Sequence, residues 1–136
     1  MPLRPDRTQP TRQLSRAEPA EIWKARKFIE QHSDEELSLI KLAKAVNISP
    51  NYLSEKFKKV TGVNFVDYVA RIRTEKARDL LEDVDLRISE IAFAVGFQSL
   101  SQFNRVFKKL FRKSPTEFRA RLLKRSTRQR TRKPAR

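Results

Sequence analysis

The chain has 136 residues, of which 31 are basic and 16 acidic, and its formal net charge at pH 7 is +15. This length has room for one domain, or for two very small ones that share a helix. Because the sequence has no cysteine, disulfide frameworks and thiolate chemistry are excluded, and no apolar run approaches the roughly 18 residues of a membrane span. The positive charge favours a polyanionic partner, meaning nucleic acid or an anionic membrane surface.

Much of this charge lies at the two ends of the chain. Residues 124–136 hold seven basic and no acidic residues, and residues 1–19 hold four basic and two acidic ones, so residues 20–123 keep +6. Four of the seven prolines also lie within residues 1–19. We predict a flexible lead over 1–19 and a basic, disordered tail over 124–136 that either lies along phosphates or serves only solubility.

The region between the ends is predicted to be all-α, since two glycines and few alternating apolar runs leave little from which to build a sheet. A first helix is expected over about 20–32, with Ile22, Trp23, Phe28 and Ile29 as its core candidates. The only histidine, His32, ends this helix and has no second histidine or cysteine nearby. We therefore expect no metal and no cofactor.

A first helix-turn-helix is predicted over about 39–61. Its short supporting helix is followed by a turn at Asn47, a residue type that tolerates the left-handed conformation. Ser49 and Pro50 then have the pattern of an N-cap followed by proline at the first helical position, and Gly62 ends the second helix.

The outward positions of this second helix are polar. Asn51 and Ser54 can hydrogen-bond to base edges, and Lys58 and Lys59 can meet phosphates. Glu55 is repelled by phosphates unless it accepts from a cytosine amino group or pairs with one of the two lysines. We therefore expect weaker base reading from the first helix-turn-helix than from the second.

A long helix is predicted next, over about 65–82. Its roughly 18 residues would span about 27 Å, enough to hold two reading helices near the 34 Å repeat of B-DNA. The alternative is an ordinary bundle helix without a spacing role.

The second helix-turn-helix is predicted over about 88–111. Gly96 marks the turn, and either Ser99 or Ser101 caps the following helix. That helix has two faces. Its buried stripe is expected to contain Phe103, Val106, Phe107 and Leu110, and its outer face Ser101, Asn104, Arg105 and Lys108.

The two helix-turn-helix units form an internal repeat. Residues 42–48 match residues 91–97 at an offset of 49, and Phe57 matches Phe107 at an offset of 50. One residue has therefore been added in or just after the second turn. Two similar units in one chain suggest two contacts of one kind with a repeating partner. A closing helix over about 115–123 starts with a capping box formed by Ser114 and Glu117, and Phe118 and Leu122 complete the core.

The second half of the chain carries the motif Ile91-Ala92…Val95-Gly96-Phe97…Ser99…Phe103…Phe107-Lys108-Lys109…Ser114-Pro115…Phe118-Arg119. This motif resembles the signature of the AraC/XylS family of bacterial transcription regulators, and the resemblance covers about residues 20–123. It implies about seven helices in two helix-turn-helix subdomains joined by a long linker helix. It also implies binding to double-stranded promoter DNA and activation of transcription through contact with RNA polymerase.

The resemblance assigns expected contacts by position. Base contacts are expected from Asn51, Ser54, Glu55, Leu100, Ser101, Gln102, Asn104 and Arg105. Phosphate contacts are expected from the charges of the side chains and not from the resemblance, at Lys58, Lys59, Lys108, Lys109 and Arg112.

Two positions depart from the family pattern. Arg112 stands where the family usually has glycine and matches Gly62 in the repeat, so a positive φ there would cost on the order of 1 kcal/mol. Thr74 replaces a larger aliphatic residue, which predicts looser packing in the linker helix. Many family members also carry a ligand-sensing or dimerisation domain. We expect no small-molecule effector site here, and either a stand-alone regulator or the DNA-binding part of a longer product.

The leading hypothesis is therefore a sequence-specific, cytoplasmic and nucleoid-associated transcription regulator that acts as an activator. The alternative is a non-specific architectural protein that coats nucleic acid mainly through its basic ends. An enzyme is disfavoured, because the chain has one histidine, no cysteine and no glycine-rich phosphate loop. A membrane-active helix is also disfavoured, since the basic residues are spread over several helices.

Overall fold

The computed structural model describes residues 18–132, with side chains up to Arg125. This part of the chain contains seven helices and no strand, which confirms the all-α prediction. In chain order they are α1 (Ala20–His32), α2 (Leu39–Val46), α3 (Pro50–Thr61), α4 (Phe65–Leu80), α5 (Ile88–Ala94), α6 (Leu100–Phe111) and α7 (Pro115–Arg132).

The linker helix α4 belongs to both of the two compact units into which the chain divides. The first unit contains α1, α2, α3 and the beginning of α4 up to Val69. The second unit takes α4 from Ala70 onward and contains α5, α6 and α7. Each helix-turn-helix, α2–α3 and α5–α6, thus lies within a different unit.

The first unit has an aliphatic core closed by one aromatic ring pair. Buried apolar side chains come from every helix of the unit: Ile22, Ala25, Ile29, Leu42, Ala43, Leu53, Phe57, Phe65 and Val69. The rings of Phe57 and Tyr68 meet edge to face, with centroids 5.0 Å apart. This contact packs the supporting side of α3 against the start of α4, so the opposite side of α3 faces outward.

A buried ion pair joins α1 to a residue just before it. The Arg26 guanidinium donates from Nε to Glu18 Oε2 at 2.7 Å and from Nη2 to Glu18 Oε1 at 2.9 Å. The Glu18 side chain is completely buried, and its hydrogen bond with Arg26 raises the pKa of the guanidinium above its ordinary value. The prediction that the flexible lead extends to residue 19 is therefore wrong at its end, because Glu18 is part of the first unit. Residues 1–17 lie outside the described part of the chain.

Trp23 is a second difference from the sequence-based expectation. Instead of lying in the core, its side chain is 42% exposed, and Lys27 Nζ lies 5.6 Å from its ring centroid. Phe28 is half-buried and stacks on the imidazole of His32, with ring centroids 4.3 Å apart. The other two core candidates, Ile22 and Ile29, are fully buried, together with Ala25.

The second unit has a more aromatic core. Its buried members come from α4 and the residue after its end, from α5 and the turn after it, and from α6: Ala77, Leu81, Ile91, Ala92, Val95, Phe97, Phe103 and Phe107. Phe118 and Leu122 of α7 pack against this cluster from a half-buried position, and the Phe107 and Phe118 ring centroids are 5.4 Å apart. Leu110, expected within the buried stripe of α6, is 36% exposed.

The internal repeat extends into the third helix of each unit. Asn64 accepts from the Asp67 N–H at the start of α4, as Ser114 accepts from the Glu117 N–H at the start of α7. The Phe57–Tyr68 ring contact corresponds to the Phe107–Phe118 contact at the same offset of 50 residues. The start of α4 and the start of α7 are therefore equivalent elements of the repeat.

The turns of the two units adopt the same backbone conformation. Asn47 and Gly96 both have positive φ, at 61° and 111°, and the N–H of the next residue bonds back to Ala43 or Ala92 at 3.0 Å. Ser49 and Ser99 then cap the following helices, so the added residue is Gln98. At the ends of these helices Gly62 and Arg112 are also left-handed, with φ of 82° and 64°.

Arg112 is therefore a strained residue at a position where the other unit has glycine. We expect Arg112→Gly to stabilise the protein by up to about 1 kcal/mol, whereas Arg112→Ala, which also removes the charge but keeps the Cβ, does not. A Cβ on Gly62 would meet nothing within 4 Å, so Gly62→Ala tests the backbone strain alone and should cost about 1 kcal/mol. Urea unfolding of the three variants measures these differences. Equal stabilities of the two Arg112 variants would contradict the strain.

The last helix is longer than the sequence suggested. The predicted closing helix over 115–123 is wrong at its end, since α7 continues to Arg132 through most of the segment predicted to be disordered. Arginine is a good helix former, and no glycine or proline interrupts the segment before Pro134. Residues 133–136 lie outside the described part of the chain.

The linker helix ends two residues earlier than predicted, at Leu80. The side chain of Thr74 is fully buried within it, and its hydroxyl donates to the Ala70 carbonyl at 2.7 Å. The polar group is thereby satisfied inside its own helix, which lets threonine occupy a core position.

Candidate nucleic-acid interface

The second helix of each helix-turn-helix has one buried side and one polar, exposed side. Leu53 and Phe57 of α3 and Phe103 and Phe107 of α6 are fully buried. The residues between them point away from the core because the helical period places them on the opposite face. We call these two exposed sides the outer faces of α3 and α6.

Serine caps fix the first turn of both helices. The Ser49 hydroxyl accepts from the Tyr52 N–H and the Ser99 hydroxyl from the Gln102 N–H, each at 3.1 Å. Of the two serines that the sequence offers as the cap of α6, Ser99 takes this role. Ser101 is left on the outer face in the first turn of the helix.

The structure places the side chains of the predicted contact residues on these outer faces. On α3, those of Asn51, Ser54, Glu55, Lys58 and Lys59 are all exposed. On α6 and directly after it, Ser101, Asn104, Arg105, Lys108, Lys109 and Arg112 are exposed, Leu100 is 37% exposed and Gln102 is half-buried. None of these side chains is sealed in the core. Their roles toward bases or phosphates stay predictions.

The two outer faces differ most at one equivalent position. Glu55 on α3 corresponds to Arg105 on α6 at the offset of 50 residues. Within residues 18–125, no salt bridge joins Glu55 to Lys58 or Lys59, although such a pair is one of the two ways in which this face could accommodate a carboxylate. The outer face of α6 carries cations and no acid. The electrostatic attraction to a polyanion is therefore stronger on α6.

One contact of α3 has no counterpart in the sequence-based expectations. The Tyr52 hydroxyl donates to Glu21 Oε2 of α1 at 2.9 Å. The pKa of Glu21 is lowered first by a hydrogen bond from its own backbone N–H and then by this hydroxyl, and the pKa of Tyr52 is raised by the same bond. Tyr52 thus links the first turn of α3 to α1, which orients the helix. A tyrosine and a glutamate 31 residues apart give no pattern that predicts such a contact.

Arg119, a member of the sequence motif, has a structural contact that the sequence does not indicate. Its Nε donates to the Leu81 carbonyl at 3.1 Å and its Nη2 to the Asp83 carbonyl at 2.9 Å. These carbonyls lie just after the end of α4, where backbone acceptors lack helical partners. The guanidinium therefore joins α7 to the end of the linker helix within the second unit.

Among the residues that the structure describes, no group of three or more His, Cys, Asp or Glu side chains is placed to hold a metal ion. No described helix is both long and apolar enough to cross a membrane.

Comparison with known proteins agrees with this arrangement. Residues 42–121 match the family model described as a helix-turn-helix domain. The Escherichia coli protein named uncharacterized HTH-type transcriptional regulator YijO is 38% identical over 94 residues, which are 69% of this chain. The chain spans only 33% of the length of that relative.

Two solved structures show the same fold. A transcriptional regulator from Chromobacterium violaceum, described as having an AraC-type DNA-binding domain, is 29% identical with a TM-score of 0.70, and the match covers 75% of this chain and 91% of that one. The DNA-binding domain of AdpA, solved in complex with a target DNA, has a TM-score of 0.70 at 23% identity and is matched over 87% of this chain and 100% of its own. At that identity, the second likeness shows the fold alone.

Proposed function

Because the chain belongs to the AraC-type helix-turn-helix family, we propose that it binds promoter DNA sequence-specifically and regulates transcription, with α3 and α6 as its recognition helices. The observation that supports this most is the duplication of one helix-turn-helix, with the same capped and left-handed positions in both copies. A coating protein has no need for two copies of so particular a turn. Exposed polar and cationic side chains on the second helix of each copy fit the geometry of major-groove readers.

We further propose that the two recognition helices enter successive major grooves. A monomer bound in this way would protect two half-sites about 10 base pairs apart, one helical turn of B-DNA. The linker helix α4 has 16 residues and a length of roughly 24 Å, so a continuous helix joins the two units. The spacing role of α4 is supported by its membership of both units, since it contributes core residues to each.

The proposed base contacts follow from the chemistry of the two outer faces. Arg105 can donate two hydrogen bonds to guanine O6 and N7, and Asn51 and Asn104 can pair with adenine N6 and N7. Glu55 can accept from a cytosine amino group, and the described structure gives it no lysine partner that would compete. The remaining proposed base contacts are Ser54, Leu100, Ser101 and Gln102. Because Glu55 and Arg105 are equivalent but opposite in charge, the two half-sites should differ in sequence.

The proposed phosphate contacts lie toward the C-terminal ends of the same helices. They are Lys58 and Lys59 of α3, Lys108 and Lys109 of α6, and Arg112 after α6. Cations here would fix the register of each helix on the duplex without reading sequence. The left-handed backbone of Arg112 lowers stability, and a phosphate contact gives a reason for a cation at this strained position.

We also propose the partners and the setting that membership of the family suggests. The protein would act as an activator by contacting RNA polymerase at the promoter, and would work in the cytoplasm on nucleoid DNA. Two relatives, one named as an HTH-type transcriptional regulator and one as an operon regulatory protein, support the regulatory role. Since the chain spans only about a third of these relatives, their other functions are not transferred to it.

Selection of bound sites from random DNA duplexes tests the proposal directly. We expect the full chain to enrich one asymmetric site with two conserved blocks about one helical turn apart. When Arg105 is replaced by alanine, the protein should lose its preference for guanine at one position of one block. Recovery of sequences without any enrichment would refute sequence-specific binding and favour the non-specific architectural protein.

The alternative function rests on the basic end of the chain and makes a different prediction for its removal. Residues 126–136 contain five basic and no acidic residues. If the helix-turn-helix units read the sequence, deleting 126–136 should weaken binding to the selected site and to random duplex by the same factor, so that their ratio stays constant. Titrations at several salt concentrations measure both affinities. Loss of all binding on deletion would favour a coating protein that works through its basic end.

A further inference from the structure

The second unit contains an open groove between the end of α6 and α7 that the proposed DNA contacts do not use. Its volume is about 530 Å³, within the range of sites that hold small organic molecules. Its floor is apolar and consists of Phe111, Phe118 and Leu122. Its rim is cationic and consists of Lys113, Arg121, Lys124 and Arg125. Among the described residues, no acidic one lines this groove, which we call the C-terminal groove.

The floor of the C-terminal groove is fixed by ring contacts. The Phe111 and Phe118 centroids lie 5.7 Å apart, and both rings pack against the fully buried Phe107, at 4.7 and 5.4 Å. The guanidinium carbon of Arg78 lies 5.6 Å from the Phe111 ring centroid, which adds a cation to one ring. Half-buried rings held from below in this way present a preformed apolar surface to solvent.

The first copy of the repeat, which includes all of α4, does not carry the same residues at the positions that line this groove. At the offset of 50 residues, Thr61 stands in place of Phe111, and its hydroxyl donates to the Phe57 carbonyl at 2.8 Å. Lys124 and Arg125 correspond to Thr74 and Glu75, so two rim cations are matched by a neutral and an acidic residue. The combination of aromatic floor and cationic rim is specific to the second copy.

Against the expectation from the sequence that the chain has no small-molecule effector site, we propose that the C-terminal groove binds a small amphipathic anion, meaning an organic carboxylate or sulfonate with an aromatic or alkyl body. The apolar body would lie on the three floor residues, and the acid group would meet the cations of the rim. An uncharged ligand would leave these cations without a partner, and an inorganic anion would leave the rings exposed. The residues 1–17 of the chain itself do not fit as occupant, because they carry four basic residues and one acid.

Anilinonaphthalene sulfonate is a suitable probe, because it combines an aromatic body with one sulfonate and reports binding by fluorescence. Titration of the full chain should show one site, and the backbone amide NMR signals that move should cluster at residues 111–125. Lys124→Glu should weaken binding about tenfold, because it replaces an attraction with a repulsion at an exposed rim. The matched control Lys44→Glu reverses an exposed cation on α2 and should leave the affinity unchanged.

Two further measurements distinguish binding in the groove from a general attraction of the probe to apolar or cationic surface. N-phenyl-naphthylamine, which lacks the sulfonate, should bind wild type and Lys124→Glu equally. Random DNA duplex should not displace the sulfonate from the groove. The proposal is overturned if Lys44→Glu and Lys124→Glu reduce the affinity for the sulfonate probe equally, or if the shifted NMR signals scatter over the chain. It is also overturned if DNA duplex displaces the probe.

Discussion

Replacing Arg105 by alanine should reduce the affinity for the selected site by about 1–3 kcal/mol, or roughly 5- to 150-fold, and leave the affinity for random duplex nearly unchanged. Arg105 is exposed in the second turn of α6, six residues after the Ser99 cap, on the part of a recognition helix that contacts base edges. A guanidinium that donates two hydrogen bonds to guanine discriminates against the other bases, and alanine makes neither bond. Titrations of both duplexes at one salt concentration measure the difference.

A matched control is available one turn further along the same helix. Lys108 is also exposed, and its proposed partner is a phosphate. Lys108→Ala should therefore weaken binding to both duplexes by the same factor. It should also reduce, by about one, the slope of the logarithm of the binding constant against the logarithm of the salt concentration. Neither residue belongs to the core, so both variants should keep the unfolding transition of the parent. If Arg105→Ala also weakens both duplexes alike, Arg105 meets a phosphate and the proposed base reading by α6 is wrong.

The repeat makes most of the fold predictable. The starts and ends of helices have local physical causes that can be read from the sequence. Asn47 and Gly96 tolerate a left-handed backbone, and Ser49 and Ser99 accept hydrogen bonds from the first turn of the following helix. Because the two copies agree, each supports the interpretation of the other. The outer faces of α3 and α6 follow from the same pattern, since the period of a helix determines which residues oppose the buried ones.

The features that the sequence does not reveal depend on contacts between residues far apart in the chain, or on opposing effects such as charge repulsion and helix propensity. Tyr52 has the position of an outward residue, and only the fold brings Glu21 to its hydroxyl. Trp23 has the large apolar side chain expected of a core residue, but Ala25 and Ile29 already fill the space beneath α1. The end of α7 is rich in arginine, and its repelling charges suggest disorder although arginine is a good helix former. The C-terminal groove likewise requires two helices to meet, and no single segment displays it.

The buried ion pair of Glu18 and Arg26 is an important contact that the sequence does not predict. The carboxylate is fully buried and accepts two hydrogen bonds from the guanidinium, yet Glu18 lies in a stretch rich in proline and arginine that predicts a flexible lead. An uncompensated charge in the interior costs several kcal/mol. The folded state of the first unit therefore depends on a residue outside all seven described helices.

Glu18→Ala should accordingly destabilise the protein by about 3–5 kcal/mol, because it leaves the Arg26 guanidinium buried without its carboxylate partner. Replacing both residues, as Glu18→Leu with Arg26→Met, should restore most of this loss, since an apolar pair avoids the cost of desolvating two charges. The exposed pair of Lys27 and Glu30, 3.7 Å apart on the same helix, is the control, and Glu30→Ala should cost less than about 1 kcal/mol. Urea unfolding of the full chain measures all three. A loss below about 1 kcal/mol for Glu18→Ala would mean that the segment before α1 is not held by this pair.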